Sequence, residues 1–175
     1  MKAHLCAGAK TNIVAAVAIT DEYGNDSPQF GPLIKKTSEG FTIDEVSADV
    51  AYSSHLNLQL VANAGGKAYI PFRKNATGRA GGSALWSKMY HYFQLNRDEF
   101  MDHYHKRSNI EATNAAIKRK FRETLKSKNP TAQVNELLAK IVAYNPTVVI
   151  HEMYESGINP DFLQIKSQAC KFRPL

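Results

Sequence analysis

The spacing of apolar residues changes along this 175-residue chain from a strand-like to a helical pattern. Apolar runs at residues 3–9 and 13–19 flank Lys10-Thr11-Asn12 and predict an N-terminal β-hairpin. The segments that follow predict a helix at 28–37, a strand at 41–48, a helix from Ser53 or Ser54 to Ala64, and a strand at 67–72. Because strands and helices alternate, we expect an α/β sheet domain.

From Ala84 onward the apolar spacing is helical. The predicted helices cover residues 86–95, 97–126 with a break near His103, and 131–156, where Pro146 should introduce a kink. In the helix predicted over residues 97–126, the face that we expect to be buried carries Ile110, Ile117 and Phe121. The C-terminal half is therefore expected to be mostly helical.

The segment 73–83 is rich in glycine and basic residues and predicts a loop. It lacks the spacing of a phosphate-binding P-loop, so two interpretations stay open, a mobile connector and a phosphate contact. We expect one domain over residues 1–160, with residues 73–95 as a short insertion or connector. Residues 161–175 are expected to form an irregular tail.

The composition narrows the class of protein. An apolar content of 43% supplies enough material for one folded core. No apolar run approaches the roughly 20 residues that span a bilayer, and the polar Lys10-Thr11-Asn12 interrupts any secretory signal. Cys6 and Cys170 lie near opposite ends without metal-type spacing, which argues against a disulfide framework and fits a reducing cytoplasm.

The whole net charge of +6 lies between His105 and Lys128, where eight Lys or Arg accompany only Glu111 and Glu123. In the rest of the chain, the positive and negative charges are equal in number. This localisation predicts a strip that binds a polyanion, with a solvated helix face as the alternative. On a continuous helix one face would carry Tyr104, Arg107, Glu111 and Lys118.

Individual residues in and around this strip allow more than one interpretation. Taken alone, Asp49 at the end of a predicted strand is typical of a cap or turn residue, and Glu111 of an i,i+4 ion-pair partner for Arg107. His103 and His105 are two positions apart and diverge on a helix, which argues against a metal cluster. Three aromatic residues lie at helical spacing, Trp86, Tyr90 and Phe93. For these residues a role in the core is favoured over stacking on nucleic-acid bases.

The spacing Tyr104-x2-Arg107-x3-Glu111-x6-Lys118 matches at all four positions the Y-R-E-K signature of bacterial insertion-sequence transposases with an RNase H-like DDE core. Residues 47–53, Ser-Ala-Asp-Val-Ala-Tyr-Ser, resemble the second-Asp motif of the same family. Further segments that resemble the family are the hairpin at residues 4–20, the strand Tyr69-Ile70-Pro71-Phe72 and the pair Asn135-Glu136. The resemblance covers nearly the whole chain.

This resemblance implies an RNase H-like (retroviral-integrase-like) α/β fold with a mixed sheet. It implies that Asp49 and Glu111 are catalytic carboxylates and ligands of Mg²⁺ or Mn²⁺, which would serve phosphodiester cleavage and strand transfer at transposon ends. The DNA-binding residues would be Tyr104, Arg107, Lys118, Arg119, Lys120, Arg122 and Lys126. The expected partners are double-stranded DNA and a second copy in a homodimer, without a membrane, in the nucleoid region of a bacterial cytoplasm.

One departure concerns the first catalytic Asp, which in this family lies on a central strand before the hairpin. Here the hairpin follows Met1 almost directly, and Asp21 and Asp26 lie after it. We therefore expect an N-terminally truncated transposase domain whose sheet lacks its first strand and which is inactive alone. The alternatives are a DNA-binding remnant that uses the basic helix 105–128, and a degenerate remnant without function.

Overall fold

The computed structural model describes residues 1–79 and 83–158. Its secondary structure alternates in the first half and is helical in the second. The elements are β1 Lys2–Ala7, β2 Val14–Thr20, α1 Phe30–Ser38, β3 Glu45–Ser47, α2 His55–Asn63, β4 Lys67–Tyr69, α3 Ala84–Leu95, α4 Arg97–His105, α5 Ser108–Phe121 and α6 Pro130–Glu155. The α/β class and the helical C-terminal half are thus confirmed, whereas the proposed tail at 161–175 lies outside the described residues.

The N-terminal hairpin is formed as predicted. Strands β1 and β2 pair antiparallel, with Lys2 opposite Thr20, and the turn closes through Asn12 at a φ of 56°. A positive φ is tolerated by Asn because its short side chain can bond locally. Helix α1 contacts both strands, while α5 contacts β1 and α6 contacts β2. The hairpin is therefore covered by helices rather than left as an isolated ribbon.

Strands β3 and β4 pair in parallel, with Val46 opposite Ala68. The connecting helix α2 begins where Ser54 Oγ accepts the N–H of Asn57 at 3.1 Å, and it ends before Gly65 at a φ of 87°. Both ends follow from the sequence, because Ser caps a helix start and Gly adopts the left-handed conformation at its end.

The two predicted strands of this unit are shorter than expected. Phe41 belongs to the exit of α1, because its N–H bonds the carbonyl of Thr37, and it is exposed. At the other strand, Pro71 has no N–H to donate, so the ladder ends at Tyr69 although Ile70 and Phe72 remain buried. The predicted single mixed sheet is present as two two-stranded sheets, and within the described residues no backbone pairing joins them.

The main core lies between β3–β4 and the helices α1 to α4. Phe100 is fully buried there and packs against the rings of Tyr69, Tyr92 and Phe93 at centroid distances of 5.4, 5.9 and 5.0 Å. Trp86 and Phe93 are both buried, and Tyr90 packs on Phe72 at 5.4 Å, so the predicted core role of these aromatics is confirmed. A smaller core joins the hairpin to α5 and α6 through Val14, Ile117, Ile141 and Tyr144.

The basic segment is not one continuous helix. Helix α4 ends at His105 and α5 begins at Ser108, two residues beyond the predicted break. Helix α5 ends at Phe121 rather than near residue 126, because Arg122 has a φ of 64°, and Asn129 then caps α6. Arg122 and Lys126 therefore lie on a loop, which corrects their placement on a helix.

Candidate functional site

Strand β3 directs one of its faces toward the corner between α4 and α5. Alternate residues of an extended segment share a face, which here groups Glu45, Ser47 and Asp49. The Glu45 carboxylate lies 2.6 Å from His103 Nδ1 and accepts from Lys106 Nζ at 2.5 Å. Ser47 Oγ donates to the carbonyl of His103 at 2.8 Å. These contacts fix the strand against the helical corner and leave Asp49 at its edge.

Asp49 uses its two carboxylate oxygens differently. Oδ1 accepts the N–H of Val50 at 2.6 Å and caps the short 3-10 helix Val50–Tyr52. Oδ2 lies 3.7 Å from a guanidinium nitrogen of Arg107. The capping interpretation of Asp49 is thus correct for one oxygen, while the other faces a cation.

Glu111 lies in the first turn of α5 and faces the same guanidinium. Arg107 Nη2 is 2.9 Å from Glu111 Oε1, which confirms the predicted i,i+4 ion pair. Arg107 itself stands at the α4–α5 junction, with Cζ 5.8 Å from the centre of the Tyr104 ring. Two carboxylates separated by 62 positions in the sequence are therefore both in contact with one arginine.

The surroundings of Arg107 favour its charged form. Burial acts to lower the pKa of its guanidinium, but Tyr104, Asp49 and Glu111 together raise that pKa above the usual value. The Arg107 side chain is 28% exposed, compared with 49% for Asp49 and 63% for Glu111. The site is consequently open to solvent on the carboxylate side and more enclosed behind the arginine.

The predicted single face carrying all four signature residues is wrong, because the chain turns between α4 and α5. Tyr104 is on α4, whereas Glu111 and Lys118 are on α5. Lys118 lies two turns beyond Glu111, about 10 Å along the helix axis. Its ammonium bonds Glu123 at 2.7 Å instead of approaching Asp49.

The remaining predicted DNA-binding residues extend away from the carboxylates. Arg119 and Lys120 are exposed on the last turn of α5. Arg122 and Lys126 follow on the loop, where Glu136 accepts the backbone N–H of Lys126. The described structure therefore forms a short basic surface that begins about two helical turns from the carboxylate pair.

Sequence reasoning missed the contribution of Glu45, His103 and Lys106. Burial acts to raise the pKa of Glu45, but the hydrogen bonds from Lys106 and His103 outweigh it and hold that pKa below its usual value. The His103 ring also stacks on Tyr69 at 4.2 Å. The available signal was the two-residue alternation that places Glu45 on the same strand face as Asp49.

The Asp49–Glu111 pair has the donor chemistry of a divalent cation site. Carboxylate oxygens are hard ligands, and Mg²⁺ is commonly held by one or two carboxylates together with waters and substrate phosphates. Within residues 1–79 and 83–158, no group of three His, Cys, Asp or Glu side chains is arranged to hold a metal. The pair would thus supply two ligands, and further ligands would have to come from elsewhere.

Carboxylates suit a divalent cation and basic side chains suit phosphate groups, and the described residues carry both. The family model for the transposase DDE domain matches residues 1–145, and the chain belongs to that family. No curated protein and no solved structure matches the sequence. The resemblance drawn from the sequence is thereby confirmed at the level of the family.

Family membership connects the chain with DNA transposition, with DNA as the substrate and with the use of divalent metal ions. Among the helices of the described residues, none combines the length and apolar character needed to cross a membrane.

Proposed function

We propose that this chain is the catalytic part of a DNA transposase that cleaves phosphodiester bonds and transfers strands at transposon ends with Mg²⁺ or Mn²⁺. The observation that carries the proposal is the convergence of Asp49 and Glu111 on Arg107, within a segment that matches the transposase DDE family. The contacts of β3 with the corner between α4 and α5 support it, because Asp49 follows that strand and Glu111 lies in the first turn of the helix after the corner.

In this proposal each residue has a distinct task. Asp49 and Glu111 would hold the divalent cation, and the chemistry that a bound cation would supply is activation of the attacking hydroxyl or water and stabilisation of the leaving oxygen. Arg107 grips a phosphate with two N–H groups, and Tyr104 supports its guanidinium from behind. The residues that follow the DNA backbone further along are Lys118, Arg119, Lys120, Arg122 and Lys126.

The proposed architecture is RNase H-like, with the hairpin and the β3–β4 pair as two parts of one sheet. Both pairs lie among helices, as that fold requires, since α1 contacts the hairpin and α2 contacts β4. A triad needs one carboxylate more than the pair described above. An additional Asp beside Asp49 and Glu111 is therefore a requirement of the proposal, and we expect no cleavage without it.

Metal binding tests the assignment without requiring cleavage. Titration of the full chain with Mn²⁺, followed by electron paramagnetic resonance of the free ion, should show binding that Asp49→Asn and Glu111→Gln each weaken at least about fivefold. Glu123→Gln is the matched control. Glu123 is also an exposed carboxylate in an ion pair, with Lys118 of α5, but it is not a proposed metal ligand. Equal binding by all three variants and the wild type would refute the metal site.

An excision assay tests the activity itself. In cells that carry the element with its complete coding sequence, Asp49→Asn or Glu111→Gln should abolish excision, while Glu123→Gln should retain it. Excision that survives either of the first two substitutions would refute the catalytic assignment.

A second candidate is a DNA-binding protein without catalysis, favoured by the exposed Arg119 and Lys120. Neither forms an ion pair within the part of the chain that the structure describes. Binding through about five basic residues predicts that affinity falls with salt with a log–log slope of about −4 to −5. The double substitution Arg119→Gln/Lys120→Gln should reduce that slope by about 2.

Lys36→Gln, on α1 and paired with Glu39, is the control for the loss of positive charge elsewhere. An unchanged slope in the double variant would exclude this surface. DNA binding that persists in Asp49→Asn, together with an absence of excision by the complete wild-type element, would favour this second candidate.

A further inference from the structure

We infer that Arg107 is a built-in counter-cation that holds Asp49 and Glu111 in the DNA-free chain and competes with the divalent cation for them. This inference rests on the proposed function, because it assumes that the two carboxylates are metal ligands. It adds a role for Arg107 before DNA arrives, in addition to its proposed contact with a phosphate.

The geometry places Arg107 where a shared cation would act. One guanidinium nitrogen is 3.7 Å from Asp49 Oδ2 and another is 2.9 Å from Glu111 Oε1. Both oxygens therefore lie around one planar group, within roughly 9 Å of each other. Among the described residues, no other Lys, Arg or His comes within ion-pair distance of either carboxylate.

The two contacts differ in a way that allows release. The contact with Glu111 has hydrogen-bond length, whereas 3.7 Å to Asp49 is too long for a hydrogen bond and is held by charge attraction alone. Both carboxylates are largely open to water, where an ion pair contributes little. A doubly charged ion interacts with the same carboxylates about twice as strongly as a guanidinium at equal distance, so it can replace Arg107.

A DNA phosphate would favour the exchange. A guanidinium can form two parallel N–H···O bonds with one phosphate. In the described structure its two nitrogens face different carboxylates, so no such paired bond is formed with either of them. Arg107 would then leave Asp49 and Glu111 free for the divalent cation as it engages the phosphate. Occupation of the carboxylates by metal would thus be coupled to the presence of DNA through one side chain.

The test is Mn²⁺ binding to the full chain without DNA, at low salt, by electron paramagnetic resonance. Arg107→Gln should tighten Mn²⁺ binding by about threefold to tenfold, because a unit positive charge next to the site is removed. Lys128→Gln removes the same charge from the loop of the same basic segment and should change the affinity by less than about 1.5-fold. An Arg107→Gln affinity equal to that of the wild type or of Lys128→Gln would overturn the inference.

The carboxylate variants distinguish the two possible failures. If Asp49→Asn and Glu111→Gln weaken Mn²⁺ binding but Arg107→Gln does not tighten it, the metal assignment stands and the role of Arg107 is refuted. If the carboxylate variants have no effect, the metal assignment fails and the inference fails with it. Should Arg107→Gln lose its cooperative urea transition, Arg107→Lys replaces it, with an expected tightening of about twofold because one ammonium reaches only one carboxylate.

Discussion

Glu45 offers the sharpest test of how the site is held together. Its carboxylate accepts a hydrogen bond from Lys106 Nζ and lies 2.6 Å from His103 Nδ1, and the Glu45 side chain is 28% exposed. Glu45→Gln keeps the shape but removes the charge that both partners face. Each charge-assisted contact contributes roughly 1 kcal/mol after allowance for solvent screening, so the substitution should lower the free energy of unfolding by about 1–2 kcal/mol.

The assay is urea unfolding at pH 7 followed by circular dichroism, with Glu39→Gln as the matched control. Glu39 forms an exposed i,i+3 pair with Lys36 at 3.4 Å, so its replacement should cost less than about 0.5 kcal/mol. A double-mutant cycle between Glu45→Gln and Lys106→Gln should give a coupling of about 0.5–1 kcal/mol. If Glu45→Gln is within about 0.3 kcal/mol of the control and the coupling is zero, this clamp does not stabilise the site.

The pH dependence of the same measurement has a defined sign. Burial acts to raise the pKa of Glu45, but Lys106 and His103 outweigh it and hold that pKa in the folded protein below its ordinary value of 4.5. A depressed pKa means that the carboxylate stabilises the folded state above the unfolded pKa and loses that effect as pH falls through the folded pKa. The gap between wild type and Glu45→Gln should therefore be complete at pH 7 and shrink below pH 4.5.

Three further substitutions test the fold. Phe100→Ala should lower the free energy of unfolding by about 3–5 kcal/mol in urea, because it empties a fully buried site among aromatic rings. Asn145→Ala should cost about 1–3 kcal/mol, since its amide bonds both the N–H and the carbonyl of Val14 at 2.9 Å. The backbone N–H groups of Ser127 and Lys126 lower the pKa of Glu136 to about 2. The stabilisation by the Glu136 carboxylate should therefore disappear as pH falls from about 4.5 to about 2. In acid unfolding, Glu136→Gln should not show this loss of stability.

The elements that the sequence predicted well are those with local signals. The hairpin turn at Asn12, the Ser54 cap and the Gly65 end of α2 each depend on residues within a few positions of one another. Backbone conformation and capping act at this range, so a single sequence contains the necessary information.

Strand length and sheet continuity were harder to predict, because they depend on partners distant in sequence. Phe41 has the spacing of a strand residue but lies in the exit of α1. Ile70 and Phe72 are as buried as strand residues, yet Pro71 between them interrupts the ladder. At Ile70 and Phe72 the apolar spacing correctly indicates burial, but burial does not determine whether a backbone group pairs with another strand.

The helix end at Phe121 illustrates a different limit. Charged residues continue past it to Lys128, and Lys and Arg are good helix formers, so spacing alone predicted a helix through this segment. The structure ends the helix because tertiary contacts stabilise a loop instead. Glu136 accepts two backbone N–H groups there, and Lys140 donates to the carbonyl of Thr124 at 2.8 Å.

The candidate site combines two spacings that belong to different kinds of backbone. The two-residue period of an extended strand brings Glu45, Ser47 and Asp49 to one face, and the four-residue step of a helix brings Glu111 to Arg107. Neither spacing predicts that the strand face meets the helix turn. That meeting depends on the corner between α4 and α5, where Lys106 contacts Glu45 and Arg107 contacts Asp49. Because neighbouring residues of the corner bind opposite ends of the strand face, a change in the corner alters the separation of Asp49 and Glu111 without touching either carboxylate.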